Sequence, residues 1–253
     1  MMECKGALDE ADGDYEKAKQ ILREKGKAAA QKRAGRSTAA GVVAFAPSED
    51  GKKVGAVVVE SETDFVARNE DFISTVQTIA EKIRDGVSKD SDEIKHILEG
   101  AVAKIRENIK LVRAEVLKSE HGIATYVHHD RTKGSAIVLK GGDVNDAVKK
   151  VAVHAVAFPP QVVDKSELSQ ERLDAEIATE TQRAINEGKP ENIAKNVAQG
   201  RVNKEFVKSV VLHEQPFYID PSKTVKEYLK ENAADAQVGE ALYYAVGQGE
   251  IAP

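Results

Sequence analysis

Cysteine is almost absent from this chain of 253 residues, with Cys4 the only one. A single thiol closes no internal disulfide and builds no thiolate zinc site, so a reducing compartment is the natural setting. Tryptophan is missing altogether. No apolar run approaches the roughly 18 residues that a membrane span needs. No basic-then-apolar leader is visible, so no secretory signal is expected. There is no Gly-rich loop followed by Lys-Ser or Lys-Thr, which excludes a phosphate-cradling nucleotidase of that type. Gly247-Gln248-Gly249 is a two-glycine tail and not a dinucleotide fingerprint. No serine sits in a nucleophile elbow. His128-His129-Asp130 contains ligand-type side chains, but neighbours on a strand point to opposite faces, so the two imidazoles are not expected to converge. Neither a metal nor a cofactor is expected. With 42 acidic residues, paired carboxylates arise by chance and are no sign of acid–base catalysis. Nothing specific supports an enzyme.

What is present is a chain long enough to bury a core in one or two domains. Its net charge is −5, which argues against a surface that coats nucleic acid everywhere. The charge is uneven, however. Between Glu16 and Arg36 eight basic residues stand against two acidic ones. Such a segment reads either as a docking arm for a negative partner or as a solvated helix end running into a linker. Used as an arm, it would suit a ribosome- or RNA-associated module. No stacking aromatic follows Tyr15 within it, which weakens that reading.

The apolar pattern divides the chain. Residues 5–12 and 14–25 predict two short helices around Gly13, the second with Tyr15, Ala18, Ile21 and Leu22 at helical spacing and Gly26 as a stop. A pair this short is marginal alone, so it docks elsewhere or lacks a third helix. Residues 28–41 read as a linker. Two β-rich runs, 42–46 and 54–59, flank the loop signal at 47–51. Asn69 is a candidate N-cap for a helix whose apolar face is Phe72, Ile73, Val76, Ile79, Ala80 and Ile83, ending at Gly86. Further helix is expected to about Asn108, then strands at 109–117, 122–128 and 135–139. Gly141-Gly142-Asp143 is expected to start another helix, which Pro159-Pro160 stops. From Ser166 a charged, Ala-rich pattern broken at Gly188-Lys189-Pro190 predicts a helical hairpin. β-like sequence resumes at Ser209–Leu212, which makes the hairpin an insertion. A short helix around Tyr228 and a strand at 238–246 complete the pattern.

Glu60-Ser61-Glu62-Thr63-Asp64-Phe65-Val66-Ala67-Arg68-Asn69 closely resembles a signature of the elongation factor Ts family. Met1–Leu8 resembles part of the family's N-terminal signature. Glu107-Asn108-Ile109, His154 with Pro159, Gly188-Lys189-Pro190, Gly200-Arg201, Gln215-Pro216-Phe217 and Pro221–Val225 follow in family order, so the likeness spans essentially the whole chain. It implies an α+β protein: an N-terminal helical module of the ubiquitin-associated type (residues 1–27), a linker (28–41), a first core subdomain (42–140), a second core subdomain (141–165 and 209–253), and an inserted, dimerisation-type helical hairpin (166–208). The family's first helix is missing, so the module should be incomplete. Where many members have Ile-Gly before Glu-Asn-Ile, this chain has Ile105-Arg106.

The resemblance further implies guanine-nucleotide exchange on elongation factor Tu. Asp64 and Phe65, flanked by Thr63 and Val66, would displace the groups that hold magnesium and phosphate. Ile105, Arg106 and His128 would fall on other contacts to the same GTPase domain. Lys5 would lie near the guanine side, and Tyr218 and Ile219 against another domain of Tu. The hairpin could pair two copies. No nucleotide would bind directly, and the setting would be a bacterial cytoplasm or an organelle of bacterial descent, plastid or mitochondrion. Taken without that context, Phe65 would most often be a core aromatic.

Overall fold

Valine dominates the first strands because both faces of their sheet are covered. In the computed structural model, which describes residues 2–248, β1 (Ala40–Pro47) and β2 (Lys53–Ser61) form an antiparallel hairpin paired from Ala40↔Ser61 to Pro47↔Val54. Val42, Ala44, Val57 and Val59 point one way, while Val43, Phe45, Ala56 and Val58 point the other, and all are buried. A sheet buried on both sides reads as a continuous apolar run instead of an alternating one.

Two helices precede this hairpin, α1 (Met2–Glu10) and α2 (Tyr15–Arg33). They pack around Ala7, Ala11 and Ala18, with Ile21 and Leu22 beside them. Gly26, expected as a stop, lies inside α2, and the helix continues through the first part of the segment read as linker. Ala, Lys and Gln there are strong helix formers, and α2 also leans on α5 (Asp92–Ile105), where Gly26 comes close to Ala103. The basic stretch is therefore helix as far as Arg33, and Arg36 beyond it pairs with Glu62.

After β2 come the single turn α3 (Asp64–Ala67) and α4 (Glu70–Arg84), whose cap is Asn69 as expected: its side chain accepts from the backbone N–H groups of Asp71 and Phe72. Phe72, Val76, Ile79, Ala80 and Ile83 are buried against the sheet. At Gly55 the helix crosses so closely that a Cβ would meet the carbonyl oxygen of Ala80 at 2.0 Å. α5 joins this layer, and β3 (Ile109–Lys118) completes the sheet in the order β1-β2-β3.

The second sheet has the order β4-β5-β6, from β4 (Ile123–Val127), β5 (Lys133–Gly141) and β6 (Gln237–Ala245), all antiparallel. Ile123, Ala136, Val138 and Tyr244 meet Val43, Phe45 and Val58 of the first sheet. The other face, with Ile137 and Leu139, is covered by α6 (Asp146–Ala157) through Val151 and by α10 (Val225–Asn232) through Leu229. The architecture is α+β, four layers deep: helices, sheet, sheet, helices. α6 begins at its Asn145 cap, later than expected, because Gly142 turns at φ +72° against the backbone of Asp235.

Between α6 and α10 lie α7 (Gln170–Asn186) and α8 (Glu191–Arg201), an antiparallel pair turning at Gly188. Arg201 bridges Glu180 and Glu187 across them. α8 passes through a wider turn at 202–206 into α9 (Val207–Val210). Here the expectation of a strand at Ser209–Leu212 fails: Val207–Val210 is helical, and only Val211 makes a single bridge, to Val162. The valines suit a strand, but a cluster of Leu168, Val202, Val207, Val210 and Val211 decides their conformation. No helix among the described residues is long and apolar enough to cross a membrane.

Candidate functional site

Phe65 is the most exposed large aromatic of the described residues, at 83% of its full accessibility. Its position follows from the chain leaving β2 at Ser61. Thr63 adopts an extended conformation and caps α3, its hydroxyl accepting from the N–H of Val66. One turn later Val66 and Ala67 reach back toward the core under α4, which leaves Asp64 and Phe65 outside. Asp64 pairs with Arg68 at 3.1 Å on the open surface. Phe65 is thus no core residue, and its ring is presented at the junction between the sheet and α4.

The end of α5 lies beside this turn. Ile105 is half-buried against the same core, and Arg106 closes the helix in the left-handed region at φ +67°, donating its N–H to the carbonyl of Val102. Glycine favours such a C-cap, so a bulky cation there carries strain. The side chain turns toward α1 and pairs with Glu3 at 3.1 Å. The next residue, Glu107, accepts from both the N–H and the hydroxyl of Thr63. Thr63, Asp64, Phe65, Val66, Ile105 and Arg106 therefore form one neighbourhood, to which α1 is tied through Glu3. Lys5 is exposed on that same helix.

His128 lies elsewhere, in the turn after β4. The expectation that His128 and His129 diverge is overturned: the strand ends at Val127, and in the turn their rings sit 4.3 Å apart, edge to face. His128 Nδ1 also lies 3.3 Å from the hydroxyl of Tyr126. No cluster of three metal-ligating side chains occurs among the described residues.

Tyr218 and Ile219 occupy a third place, the loop before α10. Ile219 is exposed, and Tyr218 borders a groove of about 390 Å³ with Phe158, Pro159, Pro216 and Pro221. Beneath it His154 is fully buried, stacked on Phe158, with its Nε2 at 2.9 Å from Gln215 Oε1. Burial pushes the His154 pKa down, and the Gln215 hydrogen bond opposes that only in part. Sequence reasoning did not single out this aromatic floor. Its only signal in the sequence is the order His154, Pro159, Gln215-Pro216-Phe217, which carries no role by itself.

The family model for Elongation factor TS matches residues 62–248. The chain is 37% identical over 255 residues to Elongation factor Ts of Neisseria gonorrhoeae, covering 98% of this chain and 87% of that one. It is 35% identical over 269 residues to Elongation factor Ts of Aquifex aeolicus, at 98% and 92% coverage. It is 39% identical over 260 residues to that of Alcanivorax borkumensis, at 98% and 90% coverage.

Proposed function

Because this chain belongs to the elongation factor Ts family, we propose that it binds elongation factor Tu with GDP and promotes GDP release and nucleotide exchange. No bond is made or broken in such a reaction. An exchange factor binds the nucleotide-free GTPase better than the loaded one, and linkage then obliges it to weaken nucleotide binding by the same factor. The protein needs no catalytic acid for this. It needs rigid groups that compete with those holding magnesium and phosphate.

The observation that carries the reading is the exposed ring of Phe65 on a turn whose backbone is held at Thr63. A rigid aromatic already held outside loses little conformational freedom on insertion into a partner. Asp64 beside it would act on the same side. Thr63, Val66, Ile105, Arg106 and His128 would extend the contact to the GTPase domain. Lys5 on α1 would approach the guanine side. Tyr218 and Ile219, with the groove beside them, would meet another Tu domain. Ile193 on α8 is half exposed, which suits a hairpin that offers a surface to a second copy or to Tu. The test is whether the purified chain accelerates release of labelled GDP from elongation factor Tu. An unchanged release rate would end the proposal.

A further inference from the structure

The β2–β3 ladder stops at Ser61↔Ile109. Beyond it the two backbones separate, and side chains continue the pairing in a reciprocal way. Asn108 donates its N–H to Glu62 Oε1 at 2.6 Å. Opposite, Thr63 donates its N–H to Glu107 Oε2 at 3.0 Å and its hydroxyl to Glu107 Oε1 at 2.7 Å. Each of the two segments thus lends a carboxylate to the other's backbone just where the sheet's own pairing ends. The Asn108 side chain fastens the same corner, donating to the carbonyl of Arg36 at 2.8 Å.

The consequence falls on Phe65. A single helical turn is not stable by itself. α3 is held on its inner side by Val66 and Ala67 and at its start by its N-cap Thr63, both of whose donors go to one carboxylate. That same hydroxyl accepts from Val66 N, so its orientation sets the turn. The Asp64–Arg68 pair on the outer side is too exposed to contribute much. The ring of Phe65 is bare, so its direction is inherited from the backbone beneath it.

We propose that Glu107 is a positioning residue for exchange: by holding both donors of Thr63 it fixes the turn that aims Phe65 at the partner. The proposal rests on the wedge reading of Phe65 given above. Glu107 itself need not touch elongation factor Tu.

The test is stimulated release of fluorescently labelled GDP from elongation factor Tu by four forms of this chain: the native one, Phe65→Ala, Glu107→Ala and the double variant. Glu107→Ala should slow release about tenfold or more, the scale of a lost hydrogen bond to a charged acceptor. In the Phe65→Ala background the same change should have a much smaller effect than in the native chain, because the ring that the turn aims has been removed. Amide exchange at residues 66–68 of the free protein should rise in Glu107→Ala, with the β2–β3 ladder still protected. Multiplying losses in the double variant would overturn the proposal. Slow release by Phe65→Ala with native release by Glu107→Ala would overturn the Glu107 role alone. Native release by Phe65→Ala would remove the wedge reading and this proposal with it. Should Glu107→Ala lose its cooperative melt, Glu107→Gln and Glu107→Leu decide the matter. Glutamine keeps an acceptor for one donor of Thr63 and leucine keeps none, so glutamine should slow release less than leucine. Equal rates for the two would reject the positioning role.

Discussion

Arg106 at the end of α5 and Glu3 on α1, 103 positions apart in sequence, meet with the guanidinium Nη2 at 3.1 Å from each carboxylate oxygen. The pair ties the N-terminal helices to the neighbourhood of Phe65. Both side chains are largely exposed, so its effect is on position more than on stability.

Arg106→Gly separates these two effects. Glycine relieves a left-handed residue, a gain of about 1 kcal/mol, while an exposed ion pair of at most about 1 kcal/mol is lost. Thermal melts should therefore shift little. Amide exchange along α1 should quicken, because one tether of that helix is gone. An unaltered α1 would show that the pair holds nothing in solution.

Phe65→Ala should leave the melt within about 0.5 kcal/mol of native, as expected for a bare surface side chain. A core aromatic would cost about 3–5 kcal/mol. Release of labelled GDP from elongation factor Tu should fall strongly in the same variant. Melting and exchange kinetics on one protein measure both.

His154 makes stability depend on pH. Its folded pKa lies below the ordinary value of 6.5, chiefly through burial. The unfolded chain therefore binds the proton first as pH falls. The contribution of neutral His154 is complete above about pH 6.5 and declines below it, toward the folded value. Denaturant melts between about pH 7.5 and pH 5 should show a drop that His154→Gln reduces. An equal slope in both proteins would contradict it.

Removing α7 and α8, with Ser169 joined to Val202 by a short flexible link, should leave the four layers folded. Their side chains serve mainly each other and the small cluster around Leu168 and Val207. A cooperative melt with native amide protection in β5 is the expected result. Loss of cooperative folding would mean that the pair is part of the core.

Much of the architecture was legible because it rests on local signals. Asn69 with its apolar face to Ile83, the hairpin around 47–51 and the break at Gly188-Lys189-Pro190 all appear where pattern placed them. Failures came where a distant surface overrides a local preference. Gly26 does not end α2, because α5 supports it, and Ser209–Leu212 is no strand, because packing around Val207 claims its valines. His128 and His129 converge because the strand stops one residue short of them.

The sequence by itself determined most of the order of elements and, through the run from Glu60 to Asn69, the family likeness that implied the α+β class. These are carried by periodicity, caps and contiguous residues, each a short-range property. Only the tertiary structure decided that Phe65 stands outside the core, since burial depends on what packs against a ring and not on its neighbours in sequence. Only it brought Glu107 to Thr63, 44 residues away, and Glu3 to Arg106, 103 away. Hydrogen bonds and ion pairs act over a few ångströms in space, so which side chains share a site emerges only once the two strands and α5 have been packed together.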